Sequence, residues 1–133
     1  MSIEEIEGVG PGYAAKLAEA GVTSIESLLS VGGDAKGRAA LTTATGISEK
    51  LILKWVNHAD LCRLNGVGPQ TAELLEAAGV DSVAELAQRN AANLAAKLDE
   101  VNASKNLVNR VPNEGTLATW IEQAKTLPKV VTH

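Results

Sequence analysis

The sequence predicts an all-α fold built from two tandem units packed together, and three observations carry that reading. The first is composition: of 133 residues, 45% are hydrophobic, with 21 Ala, 16 Leu, 12 Val and 6 Ile and no Phe. Ala and Leu are strong helix formers, and small side chains let helices approach closely. The second is periodicity, because apolar residues recur at helical spacing between short clusters of Gly, Pro, Ser, Asn and Asp. The third is an internal repeat. "GVGPGYAAKLAEAGV" at 8–22 returns 58 positions later as "GVGPQTAELLEAAGV" at 66–80. Aligning 6–32 with 64–90 gives 11 identities in 27 positions without a gap, and Trp55 matches Trp120 after an insertion of seven residues. The unit is about 60 residues long, which divides the chain into 1–62 and 63–133. Units of this size bury little core alone, so the two are expected to pack against each other.

Each element has a local reason. Ser2 with Glu5 fits a capping box and opens a short helix that stops at Gly8. Pro11 suits a helix start, where its missing N–H costs nothing. That helix runs over 11–20 with Ala14, Leu17 and Ala18 on one face, and Gly21 caps its C-terminus. Thr23 and Glu26 fit a second capping box for a helix through about Leu29. Gly32-Gly33 breaks the chain, and Asp34 caps a helix over 35–45. Gly46-Ile47-Ser48 is a further turn, with Ser48 as N-cap of a helix over 49–63. There Leu51, Ile52, Trp55, Val56 and Ala59 fall at helical spacing.

The second half repeats the plan. Gly66–Gly68 is the turn, 69–78 the helix and Gly79 its cap. Asp81 or Ser82 opens a helix over 83–89, and Asn90 caps one from 91 to about 102. A shorter helical piece is expected at 104–110. Val111-Pro112-Asn113 is the last turn, and the final helix spans 114–126 with Leu117, Trp120, Ile121 and Ala124 on one face. Pro128 ends it, leaving a short tail.

Charge and cysteine usage narrow the function classes. The net charge is −4, the pI is about 5.2, and on splitting the chain at its midpoint each half carries 6 basic and 8 acidic residues. Neither half is a basic domain, so any nucleic-acid footprint must be a small local patch. The near-absence of aromatic residues disfavours recognition by base stacking. The single cysteine, Cys62, excludes an intramolecular disulfide. No apolar run resembles a signal peptide or a membrane span, so a cytoplasmic location and no membrane partner are expected.

The turns carry the functional question. Glycines can take positive φ and bring two helices close. The central Val can point inward. The next helix then presents free backbone N–H groups, which with the helix dipole can accept a phosphate. In these residues the chain resembles the helix-hairpin-helix family, whose pattern is Gly-apolar-Gly followed by a small residue and Leu along the next helix. The wider stretch from "AGVTSIESLL" to "GISEKLILKW" resembles the N-terminal hairpin domain of RecA-type recombinases. The whole chain also resembles a group of small bacterial proteins built from two such units, a group that brings no established activity with it.

The resemblance implies two tandem helix-hairpin-helix, SAM-like units and sequence-independent contact with DNA backbone phosphates. The residues it implicates are Gly8, Val9, Gly10, Gly12 and Lys16 in the first hairpin, with Ser48, Lys50 and Lys54 at the third turn. The second hairpin, Gly66, Val67, Gly68 and Gln70, is the weaker candidate. Where DNA-binding members often carry Lys, this chain has Gly12 and Gln70. The second hairpin also carries Glu73 and Glu76, which repel a phosphate.

Other features have plain readings. Trp55 and Trp120 fit core packing, and Tyr13 covers the first hairpin. His58 and Cys62 stand four apart on one helix but lack the distant partners of a metal site. Lys105, Arg110 and Lys129 suit a solvated surface. No nucleophile–base pattern, phosphate loop or metal cluster is present. The sequence therefore predicts no enzyme, no cofactor, no metal and no small-molecule substrate. Two readings stay open: a weak DNA-backbone-binding module, or a protein-interaction scaffold in which the hairpins are only structural.

Overall fold

The computed structural model of the chain describes residues 2–133. The architecture is all-helical. A 3-10 turn at Ile3–Glu5 is followed by α1 (Pro11–Glu19), α2 (Ile25–Gly32), α3 (Ala35–Thr45), α4 (Glu49–Leu61), α5 (Pro69–Ala77), α6 (Val83–Leu86), α7 (Ala91–Lys105) and α8 (Glu114–Thr126). Among the described residues there is no strand, only an isolated bridge between Ser2 and Ser24. The chain divides into two compact units, one comprising residues up to Asp60 with Val130–His133, the other Leu61–Lys129. The boundary thus lies two residues before the expected 62/63 junction, and the last four residues belong with the first unit instead of the second.

The repeated sequence builds the same turn twice, bond for bond. Gly8 and Gly66 adopt φ of +90° and +92°, and Gly21 and Gly79 adopt +86° and +95°. The Val9 N–H donates to Ile6 O, and the Val67 N–H donates to Leu64 O. At the far end of α1, Val22 N–H reaches back to Leu17 O, and Val80 N–H makes the equivalent bond to Leu75 O beyond α5. This six-to-one closure with a left-handed glycine inside it satisfies carbonyls the helix end would otherwise leave open. Val9 and Val67 are both buried, as the inward-pointing reading requires.

The glycine at the head of each hairpin lies beside a tryptophan, at ordinary contact distance. A Cβ on Gly8 would stand 3.5 Å from Trp55 Nε1, and a Cβ on Gly66 would stand 3.5 Å from Trp120 Nε1. Each turn therefore lies against the indole of the Trp-bearing helix of its own unit, α4 or α8. In the second unit the seam is explicit. Trp120 Nε1 donates to Asn65 O at 2.9 Å, and the Asn65 N–H donates to Gln123 Oε1 at 3.1 Å. Both backbone groups of one turn residue are thus held by side chains of α8.

Around these turns the core is aliphatic. In the second unit, Leu61, Leu75, Leu86, Leu98, Leu117 and Trp120 belong to one buried cluster, with α7 packed on α8 and α6 also against α8. In the first unit α2 packs on α3, and Leu17, Leu28, Ile52 and Trp55 are buried. Each such side chain contributes about 1.5–3 kcal/mol relative to exposure.

Four local expectations are corrected. The cap of α2 is Ser24, not Thr23: Ser27 N–H donates to Ser24 Oγ at 3.1 Å, and Ser24 N–H donates to Ser27 Oγ at 3.0 Å. This register turns Ile25, Leu28 and Leu29 inward. The helix then continues to Gly32 instead of stopping near Leu29, while α6 is shorter than expected and ends at Leu86. The helical piece expected at 104–110 does not form. Helix α7 runs on to Lys105 and ends at Asn106 in the left-handed region, φ +50°. Asn102 then holds the following loop, with Oδ1 accepting from Leu107 and Val108 N–H and Nδ2 donating to Val108 O. That side chain supplies the partners a helix would have supplied.

The two glycine classes predict opposite outcomes. Gly8→Ala and Gly66→Ala should each lose about 1–2 kcal/mol, because a Cβ is strained at positive φ. Gly12→Ala, on the open first turn of α1, should gain about 0.5–1 kcal/mol through helix propensity. Urea unfolding followed by far-UV circular dichroism measures all three.

Candidate nucleic-acid interface

The helix starts divide into two kinds. Side-chain oxygens cap α2 (Ser24), α3 (Asp34), α6 (Ser82), α7 (Asn90) and α8 (Asn113), and Ser48 Oγ accepts from Leu51 N–H to cap α4. Helices α1 and α5 begin at Gly10 and Gly68, extended residues with no side-chain cap, each followed by Pro. The first-turn N–H groups of a helix have no intrahelical partner. In this chain the repeated Gly-Val-Gly-Pro leaves them to solvent or to a ligand.

In front of α1 the surface is concave. A shallow depression there is lined by Gly10, Gly12, Tyr13 and Lys16. Gly10, Gly12, Tyr13 and Lys16 are exposed. Tyr13 meets Trp55 edge-on, with ring centroids 5.1 Å apart and planes at 60°, so the tyrosine is steadied by the same tryptophan that backs Gly8. The cation and the uncapped N–H groups of the first hairpin are thus brought to one hollow.

The other predicted residues are placed differently. Val9 is buried and serves the core. Gly8 faces Trp55. Lys50 and Lys54 are exposed one turn apart on α4. Ser48 is already engaged as the cap of its own helix, so its hydroxyl is not idle. In the second hairpin Val67 is buried and Gly66 lies on Trp120, while Gln70 is exposed and Gly68 only half-buried. At the position equivalent to Lys16, 58 residues on, stands Leu74, fully buried in the core of the second unit. The second copy has therefore turned the cation's place into packing.

The sequence reading missed one group. Glu4, Glu5 and Glu7 flank the first hairpin and line a second hollow with Ile6, Gly8, Val9 and Gly10. Glu5 is committed to the N-terminal capping box, its Oε2 accepting from Ser2 N–H at 2.7 Å. Glu4 and Glu7 are exposed. Their proximity to the turn was legible from their positions immediately before Gly8. Among the described residues no group of three His, Cys, Asp or Glu side chains converges as a metal site requires. Nor is any helix among them long and apolar enough to cross a membrane.

The family model described as Domain of unknown function (DUF4332) matches residues 7–127. The chain belongs to the DUF4332 family. The DUF4332 match opens one residue before Gly8 and closes just past α8, so it takes in both glycine turns and both tryptophans. No curated protein and no solved structure matched the chain.

Ser48→Ala should lower stability by about 1 kcal/mol, the usual worth of an N-cap. Urea unfolding measures the loss.

Proposed function

We propose that the chain is a non-enzymatic, cytoplasmic helix-hairpin-helix module that makes weak, sequence-independent contact with nucleic-acid backbone phosphates through its first hairpin. One observation carries the reading. The helices left uncapped are those that follow Gly-Val-Gly-Pro, and α1 is the one with a lysine, Lys16, lining the hollow before it. Backbone N–H groups at Gly12 and Tyr13 would meet phosphate oxygens, and Lys16 would supply the charge. A helix N-terminus contributes about 0.3–1 kcal/mol to an exposed anion, so the contact is weak by construction. Glu4 and Glu7 weaken it further, since they line the neighbouring hollow, which shares Gly10 with the first, and like charge repels a phosphate. The second hairpin takes no part in this reading.

A second reading, a protein-interaction scaffold with purely architectural hairpins, is favoured by a specific observation. Gly8 and Gly66 both take positive φ beside tryptophans, which accounts for the repeated glycines without any ligand.

Fluorescence anisotropy with labelled duplex DNA separates the two readings. The wild-type chain should bind at low salt, with log K falling against log salt at a slope of about −1 to −2 for one or two phosphates. Lys16→Glu should abolish binding, and Glu4→Gln with Glu7→Gln should strengthen it severalfold. Absence of binding at low salt, or binding indifferent to Lys16→Glu, favours the scaffold.

A further inference from the structure

The double glycine Gly32-Gly33 has no counterpart in the repeat, where Asn90 and Ala91 stand. It finds its reason at the other end of the chain. A Cβ on Gly33 would fall 2.7 Å from Val130 O and 2.8 Å from Leu29 O. Gly33 φ is −63°, so the requirement is close approach and not backbone conformation. The C-terminal segment lies directly on this glycine. Thr132 N–H donates to Gly33 O at 2.8 Å, and Val131 is buried. His133 Nε2 stands 3.4 Å from Asn57 Oδ1.

Beneath the segment sits Arg38, a cation only 3% exposed. Its guanidinium donates to Gly32 O, to Gly33 O and, at 2.6 Å, to Thr132 O. A buried charge must be hydrogen-bonded, and one of these three carbonyls comes from residue 132, far along the chain. The bonds run from backbone to backbone and from guanidinium to backbone. Apart from His133, they recognise a non-helical main chain with one buried β-branched side chain, as main-chain bonds do in recognition of an added peptide.

Connectivity adds a second argument. The first unit is completed by residues the chain reaches only after the whole second unit. Between Leu127, which packs on the second unit's core, and Val130 lie only Pro128 and Lys129, both exposed and non-helical. The segment therefore detaches without unwinding any helix, and the same residues of another copy offer the same contacts. That is the condition under which exchange between copies costs little.

We propose that the face formed by Gly32, Gly33, Arg38 and Asn57 is a binding site for an extended peptide. Residues 130–133 of the same chain fill it, and when two copies meet the same segment of the second copy takes their place. Val131→Asp in the full chain expels its own segment. A peptide of residues 126–133, titrated into that variant, should then give saturable NMR shifts at the Gly33 and Arg38 amides. The wild-type chain, its site filled, should respond at least tenfold more weakly, and adding Arg38→Met to the variant should remove the response. No saturable shift in a Val131→Asp chain that keeps its helical spectrum, or a shift that survives Arg38→Met, overturns the proposal. Should that variant unfold, the wild-type chain decides. Its Thr132 amide should exchange at least tenfold more slowly than in the free peptide, and light scattering at high concentration should show a dimer. An unprotected Thr132 amide, or a monomer at every concentration, overturns it.

Discussion

The structure depends on a glycine turn seated on a tryptophan. Gly8 against Trp55 and Gly66 against Trp120 repeat the same contact, and at both positions the positive φ calls for glycine. A Cβ there would be strained by the backbone, although it would stand at ordinary contact distance from the indole. The turn fixes where α1 and α5 begin, and the tryptophan ties that start to the unit's last long helix. In the second unit the paired bonds of Asn65 to Trp120 and Gln123 complete the seam. With no Phe and a largely aliphatic core, these two indoles are the large rigid bodies against which Ala- and Leu-rich helices register.

Conservation of the turn between the copies contrasts with divergence around it. Lys16 becomes the buried Leu74, and Gly12 becomes Gln70. Gly32-Gly33, which receives the C-terminal segment, becomes Asn90-Ala91. Each change lies outside the glycine–tryptophan seam. The positive φ of Gly8 and Gly66 and the burial of Val9 and Val67 serve the architecture of both units. What distinguishes the first unit is Lys16 beside the uncapped helix start and the Gly32-Gly33 face, and the repeat shares neither.

The same distinction explains what was readable. Helix α8 over 114–126 was legible from its regular apolar period, and α3 over about 35–45 from its Asp34 cap. The choice of Ser24 over Thr23 was legible in principle, since Ser24 and Ser82 are identical across the repeat. It was missed because both residues are good caps and only the burial of Ile25 separates them. The false helix at 104–110 failed because Asn102 captures the loop with its side chain, a competition between side chain and helix that propensity does not resolve.

The sequence by itself determined the all-helical class, the repeat, the positions of the glycine turns and most of the caps. All of these follow from interactions within a few residues, where residue type fixes backbone preference. Only the tertiary structure decided the rest. It set Gly8 and Gly66 on their tryptophans and buried Leu74. It also carried residues 130–133 back to Arg38, 94 positions away from Thr132. A buried guanidinium takes whichever carbonyls the fold brings within reach, and backbone carbonyls carry no sequence signature.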